Sequence, residues 1–382
     1  MIPLAVPNLA GREGEYLQEC ITSTFVSSVG PFVDRFEDDV ASAAGTDGAI
    51  AVSSGTAGLH VALRAAGVGI GDLVALPSFT FIASANAISY CGATPWLFDV
   101  VPTSWTLDPE QFGATLKQRL TPAVGGPVDR ATGRRLAAVL PVHTLGHPAD
   151  LDPITETADM FDVPVIADAA AALGSTYRGR PIGRAGAVMS VFSFNGNKTV
   201  TAGGGGAVAS EDTDLIERMR HLSTTARLGP GYDHDTIGFN YRMTNVQAAV
   251  GCAQLEQLDT FIAAKHRIRE TYREHLSELP GVQAFPVDPW VESACWFSGL
   301  VFDRGAGDRI DEVRQKLRAL GVDARPFWTP MHRQAPYASA PAEPQPVTDD
   351  VWQRILPLPC STGITDSELE RVIDAVRQSI VT

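Results

Sequence analysis

Short apolar runs separated by amphipathic stretches organise the first two-thirds of the chain. EGEYLQECITS and FVDRFEDDVASAAG carry helical spacing, the second with Phe32, Phe36 and Val40 on one face. GAIAVSSGTAGLHVALRAAG reads as strand, tight turn and helix. LVALPSFTFIASANAISYCG, TPWLFDV, AAVLPVHTLG, DVPVIADAAAALG and AGAVMSVFSF each hold a short apolar run that ends in small or polar residues. Alternation of such runs with helix-like segments predicts an α/β fold, a mostly parallel central sheet covered by helices on both faces. Ligands in such sheets gather at the carboxyl ends of the strands. Beyond the glycine run, DTDLIERMRHLST predicts a charged helix and TARLGPGYDHDTIG a long polar loop. The pattern MTNVQAAVGCAQLEQLDTFIAAKHRIRETYREHLSEL is helical but too long to run without a bend. From about Gly281 the segments VQAFPV, ACWFSGLVFD, DRIDEVRQKLRALG and ELERVIDAVRQSI predict a smaller α+β unit. The expected division is residues 1–255, a large unit with the N-terminal segment, and residues 256–382, the long helix with a small C-terminal unit. APYASAPAEPQPVTDD is proline-rich but short, which favours an ordered loop over a linker.

Composition narrows the classes. The 382 residues are 45% hydrophobic and 19% charged, enough for a substantial core. A net charge of −14 argues against nucleic acid or an anionic membrane as the main partner, although a local basic pocket remains compatible with it. The start, MIPLAVPNLAGREGEYL, lacks the basic opening and long apolar run of a signal peptide. No stretch approaches the roughly 18 apolar residues of a membrane helix. Cys20, Cys91, Cys252, Cys295 and Cys360 are scattered without a CxxC pair, which reads as reduced core cysteines in a cytoplasmic protein and argues against a metal site.

Candidate chemistry begins with lysine, because the chain has only Lys117, Lys198, Lys265 and Lys316. Three lie in charged, helix-like surroundings where arginine or glutamine would serve equally well. Lys198 instead stands between the strand AVMSVFSF and four consecutive glycines, where backbone can approach a ligand closely. It reads as a Schiff-base amine or as a surface lysine in a flexible loop. SSGTAGLHVAL is a small-residue turn opening a helix, suited to an anion through free N–H groups with the Ser54 and Thr56 hydroxyls, or to simple capping. It lacks GxxxxGK[ST] and GxGxxG, which excludes a P-loop and weakens a dinucleotide fold. Asp168 ends the strand VPVIAD and calls for a cation or strong donor, unless it caps a following alanine helix. Ser193 could join an anion site. Phe79 or Phe81 could lie against a planar ring, or both could be core. Anion nest, buried carboxylate, aromatic face and amine together meet the needs of pyridoxal phosphate.

These residues carry a resemblance across nearly the whole chain. SSGTAGLH, PSFTFIASANAI, GATPWLFDV, VHTLGHPADLDPI, VIADAAAALGS, FSFNGNKTVTAGGGGA, GFNYRMTNVQAAVG, ARPFWTPMH and LPCST resemble the DegT/DnrJ/EryC1/StrS sugar aminotransferases, fold type I pyridoxal-phosphate enzymes. The resemblance implies that Lys198 carries the cofactor covalently, that Asp168 pairs with its ring nitrogen and that Phe81 covers the ring. It implies a phosphate site of Thr56, the Gly55 and Ala57 backbone and Ser193, completed by Asn240, with Arg242 as a further candidate, from the neighbouring subunit of a homodimer. Where the family usually has glutamine, glutamate or histidine near the ring hydroxyl, this chain has Ala171.

The implied reaction is ping-pong amino transfer from L-glutamate, leaving pyridoxamine phosphate, then onto a ketone. The variants FVSSVGPFVDRFE, SFNGNK, HDTIGFNYRMTN and LPCST look most like the branch acting on UDP-linked 2-acetamido-4-keto-6-deoxyhexoses. Arg227, His234, Arg325 and His332 are candidates for the nucleotide diphosphate, and Phe327 or Trp328 for the sugar or base. Alternatives are a dehydratase or lyase, suggested by Ala171, and an aminotransferase for a non-nucleotide keto sugar or cyclitol. Dehydrating family members carry histidine in place of the lysine, so Lys198 favours amino transfer.

Overall fold

The computed structural model describes residues 1–305 and 307–381. Its centre is a sheet in two parts. Strands Gly48–Val52, Gly206–Ser210, Met189–Ser193 and Ile166–Asp168 lie side by side in that order, and Leu136–Val139, Leu73–Pro77 and Thr94–Phe98 continue it. The parts are joined where Val139 N donates to Pro164 O and Asp168 N to Pro141 O, both at 2.9 Å. Every strand runs parallel except Gly206–Ser210, which is antiparallel to both neighbours. That reversal follows because the chain turns straight back after Met189–Ser193 instead of crossing over through a helix.

The apolar runs are continuous because helices cover both faces. Along Gly48–Val52, Ala49 and Ala51 join one cluster with Phe32, Phe36, Val40, Trp96 and Phe192. Ile50 and Val52 join the opposite cluster with Leu59, Val61, Leu76, Val191 and Val208. This period-two division is that of a sheet buried on both sides. Helices Pro31–Ala44 and Asn245–Leu255 lie on the first face, and Gly55–Ala65 and Ile82–Tyr90 on the second. The sheet edges are also covered. At Thr94–Phe98, Leu97 N donates to Pro341 O and Glu343 N to Leu97 O, both at 2.8 Å, so the proline-rich segment is ordered. At the other edge Met243 N donates to Ala51 O.

The long helical pattern divides as its length required. Asn245–Leu255 starts on a capping box formed by Thr244 and Gln247, and Leu258–Leu276 begins after a break at Glu256 and Gln257. The polar loop contains a small hairpin, Arg227–Leu228 against Asp233–His234. In the C-terminal part, Val282–Ala284, Ser298–Phe302 and Ile355–Leu358 form an antiparallel sheet. Gly307–Ala319 and Asp366–Val381 are helical. Ile2 and Leu4 pack in this region's core, and Ile2 pairs with Val322.

Two local expectations need correction. AAAALG after Asp168 forms turns, not a helix. Lys265 is not an interchangeable surface cation: it is 3% exposed, and its Nζ donates to Trp296 O at 3.0 Å and Cys360 O at 2.5 Å.

Candidate active site

A cavity of about 400 Å³ opens at the carboxyl ends of the parallel strands. Each strand delivers part of its wall: Ser53 and Ser54 follow Gly48–Val52, and Thr80 and Phe81 follow Leu73–Pro77. Val142 and His143 follow Leu136–Val139, while Asp168 and Ser193 end their own strands. Lys198 enters from the reversal before Gly206–Ser210. Of the sequence-predicted residues, Gly55, Thr56, Phe81, Asp168, Ala171, Ser193, Lys198 and Arg325 meet here.

Asp168 is 5% exposed, and burial pushes its pKa up. Ser84 Oγ donates to its Oδ2 at 2.6 Å and Ala170 N to its Oδ1 at 3.1 Å. A carboxylate so enclosed gains strongly from a further cation, the need a protonated pyridine nitrogen would meet. Lys198 keeps part of its surface open to the cavity, yet the surrounding protein lowers its pKa to about 8, against the opposing pull of Asp168. Such an amine is a usable base near neutral pH. Its Nζ sits 3.7 Å from the centre of the Trp296 ring.

The anion cradle is a helix start. Ser54 caps Gly55–Ala65, leaving the N–H groups of Gly55 and Thr56 without helical partners. The fit is close: a Cβ on Gly55 would stand 2.9 Å from Ser193 Cβ, and one on Gly206 only 2.6 Å from Gly55 N. Ala57 departs from expectation, because its N–H is already bonded to Ser54 Oγ at 3.1 Å. One turn thus completes the cap and still leaves two N–H groups open to an anion.

The aromatics separate cleanly. Phe79 is wholly buried against Trp105, Phe327 and Trp328, whereas Phe81 is 55% exposed and offers its ring to the cavity. Cradle, carboxylate, aromatic face and amine therefore fit pyridoxal phosphate. Ala171 lines the wall but provides only a methyl group.

The remaining candidates divide between the cavity and the rest of the surface. Arg227 is exposed, bonded to Gly229 O and Pro230 O, and His234 Nδ1 meets Thr225 O at 2.9 Å. His332 is a correction: its ring nitrogens meet Ser78 Oγ at 2.6 Å and Asp349 Oδ1 at 3.0 Å, which commits both to the protein. Asn240 is exposed outside this chain's cavity, and Arg242 Nη2 lies 3.4 Å from Asp34. Arg325 remains at the rim, held by Asp323 at 2.7 Å. Phe327 and Trp328 both line the wall.

Sequence reasoning missed Ser84, His143 and Trp296. His143 Nδ1 accepts from Ala149 N at 3.0 Å, and burial holds the ring neutral with a pKa of about 3. Trp296 arrives from the C-terminal region, with no local signal linking it to Lys198.

Comparison with known proteins adds to this geometry. The model of the DegT/DnrJ/EryC1/StrS aminotransferase family matches residues 7–377. The chain is 40% identical over 387 residues to GDP-perosamine synthase of Caulobacter vibrioides, covering 100% of this chain and 98% of that protein. It is 36% identical over 380 residues to EpsN of Bacillus subtilis, provisionally named a pyridoxal phosphate-dependent aminotransferase, covering 98% and 95%. The crystal structure of S. venezuelae DesV superposes with a TM-score of 0.85 at 34% identity, covering 96% and 94%.

Proposed function

Because the chain belongs to the DegT/DnrJ/EryC1/StrS aminotransferase family and depends on pyridoxal phosphate, we propose that it transfers an amino group from L-glutamate to a nucleoside-diphosphate-linked 4-keto-6-deoxyhexose. The observation that carries this reading is the convergence of Lys198, Asp168, Phe81 and the Gly55–Thr56–Ser193 cradle on one cavity.

When bound, pyridoxal phosphate supplies an aldehyde that exchanges amino groups and a ring that takes up the electrons left by a departing α-proton. Lys198 anchors that aldehyde, then serves as base and acid for the proton on the donor's α-carbon. Asp168 keeps the ring-nitrogen proton in place, itself oriented by Ser84 and Ala170 N. Gly55 and Thr56 N–H groups and Ser193 hold the phosphate, and Phe81 shields one ring face from water. Asn240 of the partner subunit completes the phosphate site in a homodimer. Arg325 meets the acceptor's diphosphate at the rim, with Phe327 and Trp328 facing its sugar or base. The unpaired buried cysteines fit a cytoplasmic setting.

Two acceptors compete. The motif variants favour a UDP-linked 2-acetamido sugar, whereas the Caulobacter relative's name favours a GDP-linked one. A panel of GDP-, UDP- and dTDP-linked 4-keto-6-deoxyhexoses, with 2-oxoglutarate and amino sugar measured together, tests the proposal. Equal yields of both products with one of these sugars are expected. Turnover without an amino donor would instead establish a lyase.

A further inference from the structure

We propose that Trp296 positions the catalytic amine: once Lys198 is free of the cofactor, the ring face holds it whenever it carries the proton, as the ammonium. The inference depends on the role given to Lys198 above. Two contacts carry it. Lys198 Nζ lies 3.7 Å from the ring centre, within the range where a cation is drawn to the negative face of an indole. The same indole donates from Nε1 to Asn197 O at 2.6 Å, which ties the ring to the residue directly before the lysine.

The ring is itself immobilised. Trp296 is 4% exposed, its N–H donates to Leu145 O at 3.0 Å, and Phe297 packs against it with ring centres 4.2 Å apart. Its carbonyl accepts from buried Lys265 at 3.0 Å. Lys265 thus props up the main chain beneath the indole.

Electrostatics give the contact its purpose. Burial disfavours the Lys198 ammonium and Asp168 favours it. Arg325 and neutral His143 line the same cavity. An aromatic face adds to the Asp168 side without accepting a directed hydrogen bond. A carboxylate in its place would fix one N–H and turn it away from the donor's α-carbon. The indole stabilises the charge and leaves the N–H groups free to face the reacting carbon.

The test uses holoenzyme whose cofactor glutamate has converted to the amine form, so that Lys198 is free. The pH dependence of trace acetylation at Lys198, read by peptide mass spectrometry, gives its apparent pKa. For Trp296→Leu, a fall of about half a unit to one and a half units is expected, the pH equivalent of a cation–π attraction. Trp296→Phe keeps a ring face but loses the bond to Asn197, so its shift should be less than half as large. Equal values in all three proteins, or equal shifts in both variants, would overturn the proposal. Should Trp296→Leu fail to fold, Trp296→Met provides an unbranched, more adaptable side chain, also without a π face. Borohydride reduction of native holoenzyme keeps the two readings apart. A tag away from Lys198 defeats the function assigned to it, whereas a tag on Lys198 with an unshifted Leu variant defeats only the role of Trp296.

Discussion

The hydroxyl of Ser84 donates to Asp168 Oδ2 at 2.6 Å, joining the helix Ile82–Tyr90 to the end of a central strand. A bond to a charged group contributes about 1.5–3 kcal/mol, more when both partners are buried. Ser84→Ala should therefore weaken pyridoxal phosphate binding roughly tenfold to a hundredfold. Spectroscopic titration of the dialysed protein measures this directly.

Asp168→Asn should stabilise the cofactor-free protein while loosening its hold on the cofactor. Burial raises the Asp168 pKa above its unfolded value. The native state then binds the proton more tightly, so the penalty is absent in acid, grows as pH rises through the raised pKa, and persists at neutral pH. The variant's melting temperature should exceed that of the native cofactor-free protein at neutral pH, and the gap should close on acidification.

Lys198→Ala should reduce turnover by about a thousandfold or more while the cradle and Asp168 still bind the cofactor non-covalently. In the native enzyme the amine must be neutral to accept the α-proton, and its pKa is lowered to about 8. Single-turnover rates with glutamate should therefore climb through that region. Desolvation of the ammonium also means that this group's contribution to the stability of the cofactor-free fold increases from about pH 8 towards the ordinary lysine range.

Arg325 and His332 should respond in opposite ways. Arg325→Gln is expected to raise KM for the nucleotide sugar roughly tenfold, with the glutamate half-reaction unchanged. His332→Gln should leave that KM alone and cost about 1–2 kcal/mol of stability, because the ring bridges Ser78 and Asp349. Steady-state kinetics and denaturant unfolding distinguish them.

Asn240→Ala should retain the cofactor poorly, and mixing it with Lys198→Ala should restore part of the native turnover. Only a mixed dimer pairs an intact Lys198 with an intact Asn240 of the partner subunit. Absence of recovery in dimers shown to be mixed would place the phosphate site within one chain.

Local pattern made much of the fold legible. Phe32, Phe36 and Val40 are buried on one helix face, and each apolar run in the first two-thirds contains a sheet strand. Lys198 stood out because its neighbours are glycines, and Asp168 because it ends a buried strand. Contacts made across the fold left no such trace. Nothing near Ser84 indicates Asp168, and Trp296 lies 99 residues from the Asn197 carbonyl that it binds. Lys265 misled for a related reason: a helical charge pattern does not show that main-chain carbonyls await one of its cations. Ala57 misled because the serine cap consumes an N–H that sequence spacing leaves free.

The hydrogen bonds that seat Pro341 and Glu343 on Leu97 have a mechanical consequence. They fasten the segment following Arg325, Phe327 and Trp328 to the rim of the central sheet. A wide swing of that wall would have to unzip main-chain bonds, so acceptors of different size should be accommodated by rotamers at Phe327 and Trp328. Directed changes of acceptor preference should accordingly concentrate on those few side chains, with the scaffold beneath them staying still.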